Sequence, residues 1–209
     1  MRSVWPAACL VIGLAAIAAA GRASAADTAV IAYSIATRGA VDADLPAFVD
    51  AARDAYGDPR GWSLGGAVRF RRVASGGGLV LWLVAPDEMR TFSQDCSATW
   101  SCRVGRDVVI NDARFHGGSP YWTGALDDYR LLLINHETGH WLGFDHDACP
   151  SVGALAPVMM QQSKGVGVCV GNPWPLQRER VAAGRMLGVA VTFLVADDLP
   201  HARGFEPLP

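Results

Sequence analysis

Three of the chain's five histidines fall between residues 136 and 146, in the run His136-Glu137-Thr138-Gly139-His140-Trp141-Leu142-Gly143-Phe144-Asp145-His146. The run fits H-E-x-x-H-x-x-G-x-x-H at every fixed position. It constrains the local fold tightly. Residues 129–142 (YRLLLINHETGHWL) read as a helix, with Asp127 and Asp128 near its start, where carboxylates complement the helix dipole. On that helix His136 and His140 stand four apart, one turn above the other on one face. Gly143 then ends the helix, because glycine tolerates the positive φ that turns a chain back. His146 arrives from a different direction.

That geometry suits a metal. Two imidazoles a turn apart and a third from a loop make His136, His140 and His146 the candidate ligands of one catalytic Zn²⁺. A His₃ set also admits other transition metals. Three protein ligands leave a fourth position open, as catalytic rather than structural zinc sites do. Glu137 is the candidate general base. It lies beside the first ligand and can reach a water at the metal without binding the metal itself. Asp145 and Asp147 are candidates to orient a ligand, although solvated loop carboxylates are the commoner reading for each. His116 and His201 match no motif and are read as ordinary core or surface residues.

The 209-residue length suits one domain, and an apolar content of 51% against 18% charged supports a sizeable core. The net charge of −2 offers no basic surplus for nucleic acid. Residues 1–25 read as a signal peptide. Arg2 gives a thin positive start, 7–20 is a small and apolar run, and Ala23-Ser24-Ala25 has the form cut by a signal peptidase. The run is too short to span a bilayer comfortably, as is the later apolar run 186–196, so no stable membrane insertion is expected after cleavage. Cys96, Cys102, Cys149 and Cys169 then remain, and in an exported chain they suggest two disulfides. Three pairings are possible. Cys96–Cys102 and Cys149–Cys169 are favoured because each closes a short local loop.

Residues 29–36, 68–73, 79–85 and 107–111 read as strands. The continuous apolar run 79–85 looks central. Residues 42–56 read as a helix with Asp44 placed to cap it and Pro46 in its first turn. Residues 86–106 read as a polar connection, 115–124 as a loop, 144–175 as largely irregular, and 177–187 as a last helix. This order is an α+β pattern with one sheet and few helices. The expected organisation is a signal peptide at 1–25, a domain at 26–175, and a C-terminal helix and tail of the same domain at 176–209.

The metal motif resembles that of the metzincin clan of zinc endopeptidases. That resemblance implies a mixed twisted sheet, an active-site helix, and an irregular C-terminal part whose tight turn places a methionine beneath the metal. Ala156-Pro157-Val158-Met159-Met160-Gln161-Gln162 is the counterpart of this Met-turn, with Met159 the better match and Met160 an alternative. A closer resemblance is to a bacterial secreted family of actinobacterial type, a metzincin-like peptidase domain of uncharacterised function. It is carried by Asp58-Pro59-Arg60-Gly61-Trp62, Tyr129-Arg130, Ile134-Asn135-His136-Glu137, Gly139-His140, Cys149-Pro150, the segment 156–162 and Asn172-Pro173-Trp174-Pro175. The likeness spans roughly residues 28–175. It departs from better-studied metzincins in having no Tyr after the Met-turn, no long pro-segment and no cysteine placed to block the zinc.

These features lead to an expected function. The chain is read as a secreted, extracytoplasmic zinc endopeptidase acting on peptide or protein substrates. Two alternatives accompany it: a metallohydrolase of cell-wall peptides, and a binding module that zinc only staples. Glu137 weighs against the last, since a structural site needs no base. From the resemblance, 108–111 is a candidate sheet edge for a substrate strand, and 155–162 a candidate pocket wall.

Overall fold

Leu79–Val84 (LVLWLV) has no polar face, so as a strand it must be covered on both sides. In the computed structural model, which describes residues 28–191, it is the middle strand of a five-stranded mixed sheet. The strands are β1 (Ala29–Arg38), β2 (Val68–Arg72), β3 (Leu79–Val84), β4 (Cys102–Val104) and β5 (Asp107–Asn111), in the order β2-β1-β3-β5-β4. β2, β1, β3 and β5 run parallel, and β4 pairs antiparallel with β5. The signal peptide expected at 1–25 and the histidine at 201 lie outside the described residues.

Parallel neighbours usually need a long crossover. The register shows how a short link suffices between β2 and β3. β2 pairs with the first half of β1, from Ala29↔Val68 to Tyr33↔Arg72. β3 pairs on the other side with the second half, from Tyr33↔Leu79 to Arg38↔Val84. The chain therefore never returns; it steps across β1 at the level of Tyr33 and continues in the same direction.

Among the described residues, four α-helices accompany the sheet: α1 (Leu45–Gly57), α2 (Asp112–Gly117), α3 (Leu126–Leu142) and α4 (Gln177–Leu187). α1 buries Phe48, Ala52, Ala55 and Tyr56. With Trp62, Tyr129 and Ile134 they form the main core against Leu79, Leu81, Leu83, Val108 and Ile110. Full burial of Phe48 alone stabilises the fold by about 2 kcal/mol. The alternate residues Val84 and Val109 pack with Met89 on the opposite face, under the short 3₁₀ helix Pro86–Thr91.

Several boundaries differ from the sequence reading. Asp44 occupies the N-cap of α1 but its side chain makes no capping bond. Asp112 instead accepts hydrogen bonds from the backbone N–H groups of Asp42 (2.7 Å) and Ala43 (3.1 Å), so a distant carboxylate orders the entry to α1. The connection 86–106 contains β4, and the loop read at 115–124 begins inside α2. Both elements are too short for periodicity to reveal. β5 is consequently not an edge, because β4 covers it. Among the described residues, no helix is long and apolar enough to cross a membrane.

Candidate metal centre

α3 carries His136 and His140 on one face and ends at Gly143, whose φ of 104° and ψ of 11° place it in the left-handed region. A side chain there would be strained. Phe144 N–H closes the helix end on the Gly139 carbonyl at 3.0 Å. The Phe144 carbonyl accepts a hydrogen bond from His140 Nδ1 at 2.7 Å. The turn that reverses the chain therefore also holds the second imidazole, and three residues later it delivers His146.

His136 Nδ1 donates to the Val158 carbonyl at 2.7 Å. A carbonyl can only accept, so both Nδ1 atoms carry the proton and both Nε2 atoms keep free lone pairs. The three rings lie 4.8, 5.4 and 4.7 Å apart by centroid, and one ligand atom from each lies within 4.8 Å of the others. His140 Nε2 and His146 Nε2 are 3.2 Å apart. Two nitrogens bound tetrahedrally to one zinc would stand about 3.3 Å apart. The donor set fits a single metal ion.

The electrostatics point the same way. Burial pushes the His136 imidazole down to about 3, helped by the neighbouring His140 and opposed by the Val158 carbonyl. His140 and His146 are lowered as well, with burial the largest cause for each. All three are neutral at pH 7, the form that binds metal. Glu137 is 5% exposed, and burial pushes its carboxyl up to about 8 against the pull of Arg103. Its Oε2 is buried with no hydrogen-bond partner. Such an atom costs free energy unless a bound group uses it. His136, Glu137, His140 and His146 together line an open cleft of about 460 Å³.

Met159 is fully buried, with its sulfur packed at Gly139, between His136 and His140 in the sequence of α3. A Cβ built on Gly139 would come within 2.2 Å of Met159 Sδ and 3.1 Å of Trp62, so only glycine lets this packing occur. Met160, the alternative, instead lines the cleft. The turn is closed by Met160 N–H on the Pro157 carbonyl at 3.0 Å. Gln162 braces it, donating to the carbonyls of Pro157 and Asn172 and accepting from Asn172 N–H. Behind α3, Trp62 Nε1 donates to the Asn135 carbonyl at 2.8 Å and Asn135 Nδ2 donates to the Pro173 carbonyl. Arg60 pairs with Asp58 and lies over the Trp174 ring. The scattered sequence blocks at 58–62, 134–136 and 172–175 thus meet in one place.

Asp145 and Asp147 hold no imidazole by a hydrogen bond. Asp147 pairs with Arg178 at 2.6 Å, and Asp145 is exposed. The partners that orient His136 and His140 are backbone carbonyls, which any residue can supply and no motif reveals. His116 is exposed on α2, away from the triad. Cys96 pairs with Cys102 and Cys149 with Cys169, the two local pairings. Two residues escaped the sequence reading. Glu179 on α4 is buried and accepts from the backbone N–H groups of Val158 (3.1 Å), Met159 (3.0 Å) and Leu176 (2.6 Å). Its N-cap is Leu176, which has no accepting side chain, so no capping pattern marked Glu179 in the sequence and its grip on the methionine turn left no signal either. Arg103 on β4 lines the cleft, within a segment that read only as a connection.

Fold and site together define an α+β domain with a three-histidine centre, able to hold one metal ion, at the end of a helix. A family model described as "Protein of unknown function (DUF3152)" matches residues 14–177, and the chain belongs to that family. No curated protein matches it. Among solved structures it is similar to archaemetzincin from Methanopyrus kandleri, at 16% identity and a TM-score of 0.46, over 76% of this chain and 96% of that one.

Proposed function

We propose that this protein is a secreted zinc-dependent endopeptidase in which His136, His140 and His146 hold one zinc ion and Glu137 is the general base. The observation that carries the reading is the convergence of three neutral imidazoles beside a buried carboxylate with an unpartnered oxygen, all open to one cleft. Zinc would supply Lewis acidity, making water acidic near neutral pH and polarising a peptide carbonyl. The Val158 and Phe144 carbonyls engage Nδ1 of His136 and His140 and so leave each Nε2 free to bind the ion. Glu137 takes the proton from the attacking water and passes it to the departing amine. Its buried carboxyl, with one oxygen unpartnered and open to the cleft, is placed for both halves of that transfer.

Met159 serves as the Met-turn methionine, packing under the centre without binding it. Gly143 serves as the hinge that brings in His146. The signal peptide at 1–25 and the two disulfides support export, and the domain begins at residue 26 and includes α4.

The test is cleavage of an unfolded protein by the zinc-loaded chain beginning at Ala26, beside Glu137→Ala with its zinc content measured. The expected result is activity in the parent and a loss of about 10²-fold or more in a variant that still binds zinc. Equal cleavage by both would remove Glu137 as the base. No cleavage by a fully loaded parent across protein and cell-wall peptide substrates would overturn the peptidase reading.

A further inference from the structure

Two cations line the cleft that holds the triad, Arg103 and Lys164. Arg103 projects from β4, the edge strand, where it stands opposite Val108. Its neighbour Cys102 is tied to Cys96, so strand pairing and a disulfide both anchor this position. Among the described residues, the Arg103 guanidinium makes no hydrogen bond and no ion pair. Nearby Arg114 differs: it donates to the carbonyls of Thr99 and Gly118 and lies over the Trp100 ring. Lys164 comes from the opposite part of the chain, on the 3₁₀ turn Gln162–Lys164 that follows the methionine turn. Its ammonium lies 6.0 Å from the Trp100 ring centroid.

The charged side chains that line the cleft balance, two cations against two acidic groups, where the chain as a whole is acidic. The protein as a whole carries −2. The cleft presents an uncommitted guanidinium and an ammonium beside a set of ligands for a divalent cation. The acidic groups that line it are Asp95, which is exposed, and the buried Glu137. A divalent cation held by the triad would add the positive excess that favours anionic ligands here. A planar guanidinium free of internal partners matches a carboxylate by two parallel hydrogen bonds, whereas an ammonium acts as a point charge. Carboxylates are the anionic groups of peptides.

We infer that the cleft selects peptides with a carboxylate close to the bond held at the triad, with Arg103 as the main recognition group and Lys164 as the second. The inference rests on the peptidase reading. The carboxylate can come from an Asp or Glu side chain or from a free C-terminus.

The experiment uses labelled peptide pairs that differ only by Glu or Gln at one position, each made with a free and an amidated C-terminus. Cleavage by the zinc-loaded protein is measured as kcat/KM, and binding to the zinc-loaded Glu137→Gln variant by fluorescence anisotropy. The carboxylate member should be preferred about tenfold in both, the size expected of one charge-assisted hydrogen-bonded pair. The preference should fall toward unity in Arg103→Gln, fall partly in Lys164→Gln, and stay unchanged in Arg69→Gln on the far edge strand. The Glu/Gln arm and the free/amidated arm separate a side chain from a C-terminus as the source. Cleavage with no carboxylate preference in rate or binding would overturn the inference and leave the peptidase reading standing. A preference that survives both cleft substitutions would overturn the assignment to these residues. Carboxylate-selective binding lost in Arg103→Gln, with no peptide cleaved, would keep the recognition site and overturn the peptidase reading.

Discussion

Glu137 sits in the cleft wall with its carboxyl almost wholly removed from water, and this has a consequence for the metal-free protein. Burial holds its folded-state pKa at about 8, above the ordinary carboxylate value that the unfolded chain shows. The folded state therefore binds more protons than the unfolded state between those two values, and stability falls as pH rises through that window. The contribution is fully present below the unfolded pKa and lost above about pH 8. The three buried imidazoles, with lowered pKa values, act in the opposite sense up to their ordinary range, so chelator-treated protein should show its Glu137-linked decline in melting temperature between about pH 7 and pH 8. In Glu137→Gln that part of the decline should vanish, since the amide does not titrate. An unchanged slope in the variant would show that Glu137 is not the group responsible.

α4 lies apart from the helix that bears the ligands, yet it governs their support. Glu179 grips the peptide groups of Val158 and Met159, and the Val158 carbonyl holds His136. Arg178, one residue earlier, pairs with Asp147 beside His146. One turn of this helix thus steadies both the buried His136 and the loop that carries the exposed His146. Glu179→Ala would leave two buried N–H groups unpaired, at about 1–3 kcal/mol each. Zinc affinity, measured by chelator competition, should drop by about 10- to 100-fold, the range seen when groups behind a metal ligand are removed. Glu179→Gln keeps one accepting oxygen and should recover part of the loss. A variant that melts earlier but binds zinc as tightly as the parent would confine Glu179 to a purely structural role.

The two disulfides divide the work of holding the cleft. Cys149–Cys169 spans 20 residues and closes the segment that follows His146 and contains the methionine turn. Cys96–Cys102 spans 6 and anchors β4 next to Arg103. By loop-closure entropy the first stabilises the fold by about 3 kcal/mol and the second by about 2 kcal/mol. Replacing Cys149 and Cys169 by serine should lower the urea midpoint more than replacing Cys96 and Cys102. It should also weaken zinc binding, because His146 is the exposed ligand and its loop loses its tether. Replacing Cys96 and Cys102 should leave zinc affinity near that of the parent. Equal zinc affinities in the two double variants would show that the His146 loop is held by its other contacts, the Asp147–Arg178 pair among them.

Local patterns carried much of this protein. The spacing of His136, Glu137, His140, Gly143 and His146 defined the triad, its helix and its turn, because each depends on residues only a few positions apart. Apolar runs marked β1, β3 and β5, and four cysteines in two close pairs suggested their partners. What stayed hidden depends on groups distant in sequence or common to every residue. β4 and α2 are too short to leave a periodic signal, so the true sheet edge went unread. The carbonyls of Val158 and Phe144 belong to the backbone, and backbone atoms carry no sequence signature. Glu179 and Arg103 looked like ordinary charges on a helix and a connection. Only the packing of α4 against the methionine turn, and of β4 against β5, brought them to the site. Helical periodicity and one glycine were enough to foretell that His136, His140 and His146 cluster, and that α3 presents two of them. What holds His136 and which charges face the cleft came only from tertiary packing, because those contacts join residues 20 or more apart, whereas His140 is held within its own helix end.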